Sequence, residues 1–139
     1  LVLARHSEDA KIVGVELNPK AHGFAIYNRD LNKVPYSKLE LINEDVRVAV
    51  PRLKEKFDRV LMPLPKTSEE FLDMALPATK SGGMIHLYAF LNEKDIVSEG
   101  QNILDLCEEM GFEVKLMNTV KCGQHAPYVF RVCFDLQVY

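Results

Sequence analysis

The sequence is short of several features that mark particular classes of protein. No apolar run approaches the roughly 20 residues that a membrane-spanning helix needs. Basic and acidic side chains nearly balance, 17 against 20, which gives a formal net charge of −3. That balance argues against a dedicated nucleic-acid-binding module, because such modules are usually basic. The cysteines, Cys107, Cys122 and Cys133, are odd in number and lack framework spacing, which favours reduced thiols in a cytosolic protein.

What the sequence does contain suits one α/β domain. The 139 residues are 47% apolar and 27% charged, enough for a core and too apolar for a disordered chain. Strands and helices are predicted to alternate: helix to His6, strand Lys11–Glu16, helix Pro19–Asn32, strand Leu39–Ile42, helix Val46–Lys56, strand Asp58–Met62, helix from Thr67, turn Ser81–Gly83, strand Met84–Phe90, helix Asp95–Met110 and strands Phe112–Lys121 and Tyr128–Val138.

This order of elements predicts the topology of the sheet. Strands that alternate with helices imply right-handed crossovers and parallel pairing. The last two strands are joined by only a few residues, from Cys122 to Pro127, so they are expected to be antiparallel. A mostly parallel, Rossmann-like sheet with an antiparallel C-terminal pair resembles class I S-adenosylmethionine (SAM)-dependent methyltransferases.

An acidic residue ends the first predicted strand. Glu16 follows the β-branched run around Val13 and Val15, and Pro19 then opens a helix. In nucleotide-binding α/β sheets, an acid at this position accepts hydrogen bonds from a ribose diol. A carboxylate suits that task because it offers only acceptors to two donors. The alternative is a solvated acid, or an N-cap-like partner of the next helix.

A second acid follows the next strand. Asp45 adjoins the crevice where an adenine ring would lie, so its carboxylate could accept from the exocyclic amine while the Val46 N–H donates to a ring nitrogen. The alternative is helix capping, a common role of aspartate.

A stiff loop follows the strand that ends at Met62. Pro63, Leu64 and Pro65 restrict the backbone at the carboxyl end of this strand. Many SAM-dependent enzymes place a substrate-facing loop there, and a rigid turn without chemistry is the alternative. No metal is expected, because Cys122 and His125 have no second pair of ligands. His86, in mid-strand, is expected to be a satisfied core residue.

Several short motifs occur together in one order. They are Glu16-Leu17-Asn18-Pro19, Leu31-Asn32-Lys33-Val34, Asp45-Val46-Arg47, Phe57–Pro65, Gly82-Gly83-Met84-Ile85-His86 and Ala126-Pro127-Tyr128-Val129. The set resembles the Met-10+-like family, which comprises the archaeal and eukaryotic tRNA (guanine-N1)-methyltransferases acting at position 37 and related wybutosine-pathway enzymes. The resemblance covers nearly the whole chain.

The resemblance implies a cofactor, a partner and an activity. The cofactor is SAM, the partner is tRNA, and the reaction is methyl transfer to N1 of guanine beside the anticodon. By this resemblance Glu16 and Leu17 bind the ribose, Asp45 and Val46 bind the adenine, and the catalytic loop is Pro63-Leu64-Pro65. The family often has asparagine where this chain has Pro63, which has no polar side chain. The family's general base and its tRNA-gripping domain precede the first strand.

Other functions remain open from the sequence. Transfer of the aminocarboxypropyl arm of SAM would use the same Glu16 and Asp45 and differ near Pro63. A non-catalytic nucleoside-binding module and an NAD-dependent oxidoreductase are alternatives from other classes, and the antiparallel terminal pair disfavours the oxidoreductase.

The glycine-rich turn of this fold is the most informative absence. It normally lies some twenty residues before the acid at the end of the second strand, and no such turn precedes Glu16. The 139 residues are therefore expected to form a SAM-binding catalytic domain that is incomplete on its N-terminal side. The missing strand would be central, so two interior strand edges should lack partners, and these residues should not fold stably alone.

Overall fold

The structure is a computed structural model, which describes residues 1–7, 9–63 and 68–139, apart from the side chains of 68 and 69. Its contacts divide the chain into two compact units, Leu1–Leu53 and Lys54–Tyr139. No helix in these described ranges is long and apolar enough to cross a membrane.

The first unit contains a two-stranded parallel sheet. Its elements are α1 (Val2–His6), β1 (Ile12–Val15), α2 (Pro19–Leu31), β2 (Leu39–Ile42) and α3 (Val46–Leu53). The register of β1 and β2 runs from Ile12 opposite Leu39 to Val15 opposite Ile42. The helix α3 ends before the predicted Lys56, because Lys54 adopts left-handed backbone with φ 52°.

The helix α2 begins as predicted but turns a different side inward. Asn18 caps it by accepting from the Lys20 N–H at 2.9 Å, and Pro19 occupies its first turn. Ala21, Phe24, Ala25 and Leu31 form the apolar side of the helix in the sequence, but its two large residues, Phe24 and Leu31, are 69% and 65% exposed.

The residue that α2 buries most completely is charged. The Arg29 side chain is 1% exposed; it donates to Asp30 at 2.8 Å, and its guanidinium lies 3.5 Å from the centre of the Tyr36 ring. A paired and stacked arginine can replace an apolar residue in the interior. An apolar periodicity could not indicate that choice.

The second unit contains a four-stranded mixed sheet. Its elements are β3 (Phe57–Met62), α4 (Leu72–Ala78), β4 (Thr79–Asn92), α5 (Ile96–Glu109), β5 (Val114–Ala126) and β6 (Val129–Val138), with short 3₁₀ turns at Ser68–Phe71 and Glu93–Asp95. The strand order is β3-β4-β6-β5. The strands β3 and β4 are parallel, and β6 is antiparallel to both neighbours. The predicted α/β class and antiparallel C-terminal pair are confirmed.

One face of this sheet supplies the main core. Alternate residues of β4 and β6 point to α4 and α5 and exclude water. The fully buried members are Leu72, Leu76, Ile85, Leu87, Ile103, Cys107, Val132, Phe134 and Leu136. The intervening residues of the same strands are therefore on the opposite face, and several of them are polar.

The predicted single sheet occurs as two sheets. Among the described residues, β1 pairs only with β2, and β3 pairs only with β4. One edge of β1 and one edge of β3 thus have no strand partner among these residues.

The predicted turn at Ser81–Gly83 is a bulge inside β4. The register jumps from Phe57 opposite Thr79 to Arg59 opposite Met84. A Cβ at Gly83 would lie 2.9 Å from the Lys80 oxygen and 3.1 Å from the Asp58 oxygen. Both are backbone atoms, which a side-chain rotation cannot move away.

We expect Gly83→Ala to destabilise the protein by about 1–3 kcal/mol, because the added methyl group overlaps fixed backbone. Urea denaturation of the variant and the wild type measures this free energy of unfolding. Gly123→Ala is the matched control, because a Cβ at Gly123 meets nothing within 4 Å. Equal losses in the two variants would contradict the proposed backbone contact.

Candidate functional site

The loop after β1 is held by the first predicted site residue. Glu16 is exposed, and its Oε1 accepts a hydrogen bond from the Asn18 N–H at 2.8 Å. Asn18 in turn caps α2, so Glu16 supports the N-cap residue, as the alternative interpretation expected. This bond uses one carboxylate oxygen, and an ionised carboxylate has about four acceptor positions in all. Leu17, the second predicted ribose contact, is 67% exposed.

A single asparagine ties the ends of β1 and β2 together. Asn43 Nδ2 donates to the backbone oxygen of Glu16 at 2.7 Å and to the backbone oxygen of Leu17 at 3.1 Å. The pairing of Val15 with Ile42 aligns the two strand ends. The predicted ribose contact and the predicted adenine contact therefore belong to one edge of one sheet.

Asp45 performs the capping that was its alternative role. Its Oδ1 accepts from the Arg47 N–H at 2.8 Å at the start of α3. The side chain is exposed, and Val46 beside it is partly buried. Capping engages Oδ1, and contact with an adenine through Oδ2 stays a prediction.

The predicted catalytic loop is only partly described. Pro63 directly follows β3 and is exposed, whereas Leu64 and Pro65 lie outside the described residues. Its place at the carboxyl end of a parallel strand is the place where open α/β sheets bind ligands.

The sequence did not reveal a polar chain across three strands of the second unit. Arg59 on β3 contacts His86 Nε2 at 2.6 Å, and His86 Nδ1 contacts Asp135 Oδ1 at 2.6 Å. A guanidinium only donates, so Nε2 is the acceptor and the ring proton is on Nδ1, which donates to Asp135. His86 is satisfied and mostly buried, as predicted, but its partners were not foreseen.

Asp135 is the acceptor at the centre of this chain. The Cys133 thiol donates to its Oδ1 at 3.4 Å, and Asn118 Nδ2 donates to its Oδ2 at 3.3 Å. Burial by itself would raise the pKa of Asp135, but the hydrogen bonds from His86, Cys133 and Asn118 outweigh burial and lower this pKa below its usual value. Burial raises the pKa of the Cys133 thiol to about 11.

The same side chains include a potential metal-ligand set. The ligand atoms of His86, Cys133 and Asp135 all lie within 4.8 Å of one another. The Arg59 cation next to the histidine would repel a second cation, and the thiol is held protonated by its raised pKa. A metal needs the thiolate, so these contacts fit a hydrogen-bond network better than a metal centre.

Pro63, which follows β3, and the hairpin turn between β5 and β6 lie at the same edge of their sheet. The last pair of β3 is Met62 with Leu87, whereas β4 and β6 remain paired up to Asn92 opposite Val129. At about 3.3 Å per residue, the hairpin turn extends roughly 16 Å past the end of β3. The Phe90 and His125 rings stack there with their centres 4.4 Å apart.

The fold and the sequence of this chain were compared with those of known proteins. The sheets and the C-terminal antiparallel pair are those of Rossmann-like SAM-dependent methyltransferases, in agreement with the sequence. The family model described as the TRM5/TYW2 methyltransferase domain matches residues 1–116. The chain belongs to this family, whose members are SAM-dependent transferases.

Two relatives illustrate the family's activities. The chain is 31% identical over 131 residues to the tRNA(Phe) (4-demethylwyosine(37)-C(7)) aminocarboxypropyltransferase of Pyrococcus horikoshii, covering 94% of this chain and 46% of the relative. It is 28% identical over 139 residues to the tRNA (guanine(37)-N(1))-methyltransferase Trm5b of Pyrococcus abyssi, covering 99% and 40%. The chain thus spans less than half the length of either relative.

Two solved structures are similar as well. TYW2 of M. jannaschii in complex with AdoMet has a TM-score of 0.84 at 25% identity, covering 99% of this chain and 62% of that one. The complex of aTrm5 and tRNALeu has a TM-score of 0.75 at 28% identity, covering 93% and 35%.

We expect Asp135→Asn to lower the free energy of unfolding at pH 7 by about 1–3 kcal/mol. Both carboxylate oxygens of Asp135 accept from donors, so the amide nitrogen of the asparagine would face a donor in either orientation of the side chain. The carboxylate has a lowered pKa, so its stabilisation is present above the unfolded value of about 3.9 and is lost as the pH falls through the folded value. The variant should therefore lose less stability than the wild type below about pH 4.

Urea denaturation at pH 7 and at about pH 3 measures both effects. Asp105→Asn is the matched control, because Asp105 is exposed on α5 and accepts from Gln101 Nε2 at 2.7 Å, a bond that an asparagine can keep. An Asp135 variant as stable as this control at pH 7 would show that the network contributes nothing to folding.

Proposed function

We propose that residues 1–139 are the SAM-binding catalytic domain of a tRNA (guanine-N1)-methyltransferase that acts at position 37, beside the anticodon. The observation that carries the proposal is the Asn43 bridge, which joins the residue after β2 to the backbone oxygens of Glu16 and Leu17 at one carboxyl edge. Membership of the TRM5/TYW2 family and the similarity to Trm5b support the reaction and the tRNA partner. Three free cysteines agree with a cytosolic location.

The chain's residues contribute binding and alignment. SAM, when bound, supplies a methyl group already activated by its sulfonium. Glu16 would accept hydrogen bonds from the ribose hydroxyls, and the exposed Leu17 would lie against the same sugar. Asp45 would accept from the adenine amine while the Val46 N–H would donate to the ring. A carboxylate that already caps a helix is held in place for such a contact.

The loop that begins at Pro63 positions the acceptor base in this proposal. It follows β3 at the ligand edge of its sheet, and its two prolines limit its conformations. Stiffness lowers the entropy lost when a flat base is aligned with the methyl group. Pro63, Leu64 and Pro65 align the base by shape and through backbone groups.

Transfer of the aminocarboxypropyl group is the second candidate. Two observations favour it: the 31% identity to the P. horikoshii enzyme and the proline at position 63, which gives no side-chain hydrogen bond to a guanine. The same Glu16 and Asp45 would bind SAM in this reaction. The mass of the tRNA product separates the two reactions, and SAM binding without any product would indicate a non-catalytic module.

We expect Glu16→Ala to weaken SAM binding by about 10- to 100-fold, because two ribose hydroxyls lose a charged acceptor. Isothermal titration of SAM into the full-length protein measures this. Glu109→Ala, an exposed acid at the end of α5, controls for the change of charge. Absence of SAM binding by the wild type would remove both transferase proposals.

We expect Asp45→Asn to preserve folding but to weaken SAM binding by about 10-fold. Asparagine caps helices as well as aspartate does, so the bond to the Arg47 N–H is retained. It presents an amide nitrogen where the second carboxylate oxygen was, and a donor cannot bind the adenine amine. Titration and urea denaturation together test this, and unchanged affinity would mean that Asp45 only caps α3.

A further inference from the structure

The turn between β5 and β6 holds a tyrosine in a strained backbone conformation. Pro127 and Tyr128 are the two residues between the paired Ala126 and Val129, and Tyr128 has φ 62°. Proline followed by positive φ is the pattern of a type II turn, which favours glycine at the second position. A side chain at this position strains the backbone, and such strain is concentrated at functional sites.

The tyrosine ring does not explain the strain by packing, because Tyr128 is 71% exposed. The turn is anchored instead through its backbone, where the Tyr128 oxygen accepts from the Glu93 N–H at 2.9 Å. Any residue could make that bond. The ring is therefore presented to solvent on a fixed support that does not depend on it.

The side chains near this turn are aromatic rings and an arginine cation. His125 is exposed and stacks on Phe90 with the ring centres 4.4 Å apart. Arg131, opposite Phe90 in the register, is exposed, and its guanidinium lies 5.9 Å from the centre of the Tyr88 ring. Aromatic rings beside a cation bind unpaired nucleotides, because bases stack on rings and phosphates pair with cations.

We propose that His125, Tyr128 and Arg131 form an RNA-binding tip, in which the Tyr128 ring stacks on an unpaired base of the tRNA and the two basic side chains meet its backbone. The proposal rests on the proposed function. The tip extends roughly 16 Å past the end of β3, at the edge of the sheet where Pro63 follows that strand. It would thus bind an anticodon-loop nucleotide close to the one that reacts.

The test is Tyr128→Gly in the full-length protein. Glycine relieves the positive φ, so the variant should be as stable as the wild type or more stable. Its Kd for unmodified tRNA should rise about 10-fold, because one stacking contact is lost. Tyr128→Phe should bind as the wild type does. Tyr139→Ala, which removes an exposed tyrosine just past the other end of β6, should leave the Kd unchanged.

The outcomes separate this inference from the function on which it rests. Ultraviolet cross-linking followed by mass spectrometry should attach a nucleotide to Tyr128 in the wild type. A wild type that modifies tRNA, together with a glycine variant of unchanged Kd, would overturn the tip alone. A phenylalanine variant as weak as the glycine variant would overturn stacking. A wild type that binds SAM but neither binds nor modifies tRNA would overturn both proposals.

Discussion

The pairing of β4 with a neighbour on each side is the constraint on which the second unit depends. Parallel pairing with β3 brings the loop at Pro63 to the carboxyl edge, and antiparallel pairing with β6 brings the hairpin turn to that same edge. The same register sets His86 opposite Asp135. The pairing of this one strand thus fixes the positions of Pro63, of the polar network and of the tip to which we assign RNA binding.

In the first unit, too, strand pairing brings the residues of interest to one edge of a sheet. Two parallel strands end together, and the amide of Asn43 joins the residues that follow them. Glu16 and Asp45 each support a helix start while facing solvent. Capping and ligand binding are compatible roles, because a carboxylate has two oxygens and a cap engages one of them. The capping contacts, which the sequence offered as an alternative to ligand binding, hold in place the two carboxylates that we propose to bind SAM.

The elements could be predicted from the sequence, but the contacts between distant elements could not. Strand runs, caps and turn residues are local signals, so the elements near Val15, Pro19 and Gly111 occur where expected. The partners of His86 depend on register between residues 49 positions apart, which one sequence does not encode locally. The buried Arg29 is similar, because its burial depends on Asp30 and Tyr36 together. Arg131, Cys133 and Asp135 alternate along the sequence of β6, which places them on one face of the strand but does not identify their partners.

The three thiols of this chain differ sharply in accessibility. Cys107 and Cys133 are buried, and burial raises the pKa of each to about 11, so both resist alkylation. Cys122 is exposed and lies on β5, just before the hairpin turn. Within this chain, a maleimide dye would therefore attach at one place without any engineered cysteine. A dye on Cys122, in the strand that leads into the hairpin turn, would be a built-in optical reporter through which the arrival of a nucleic acid could be followed in real time.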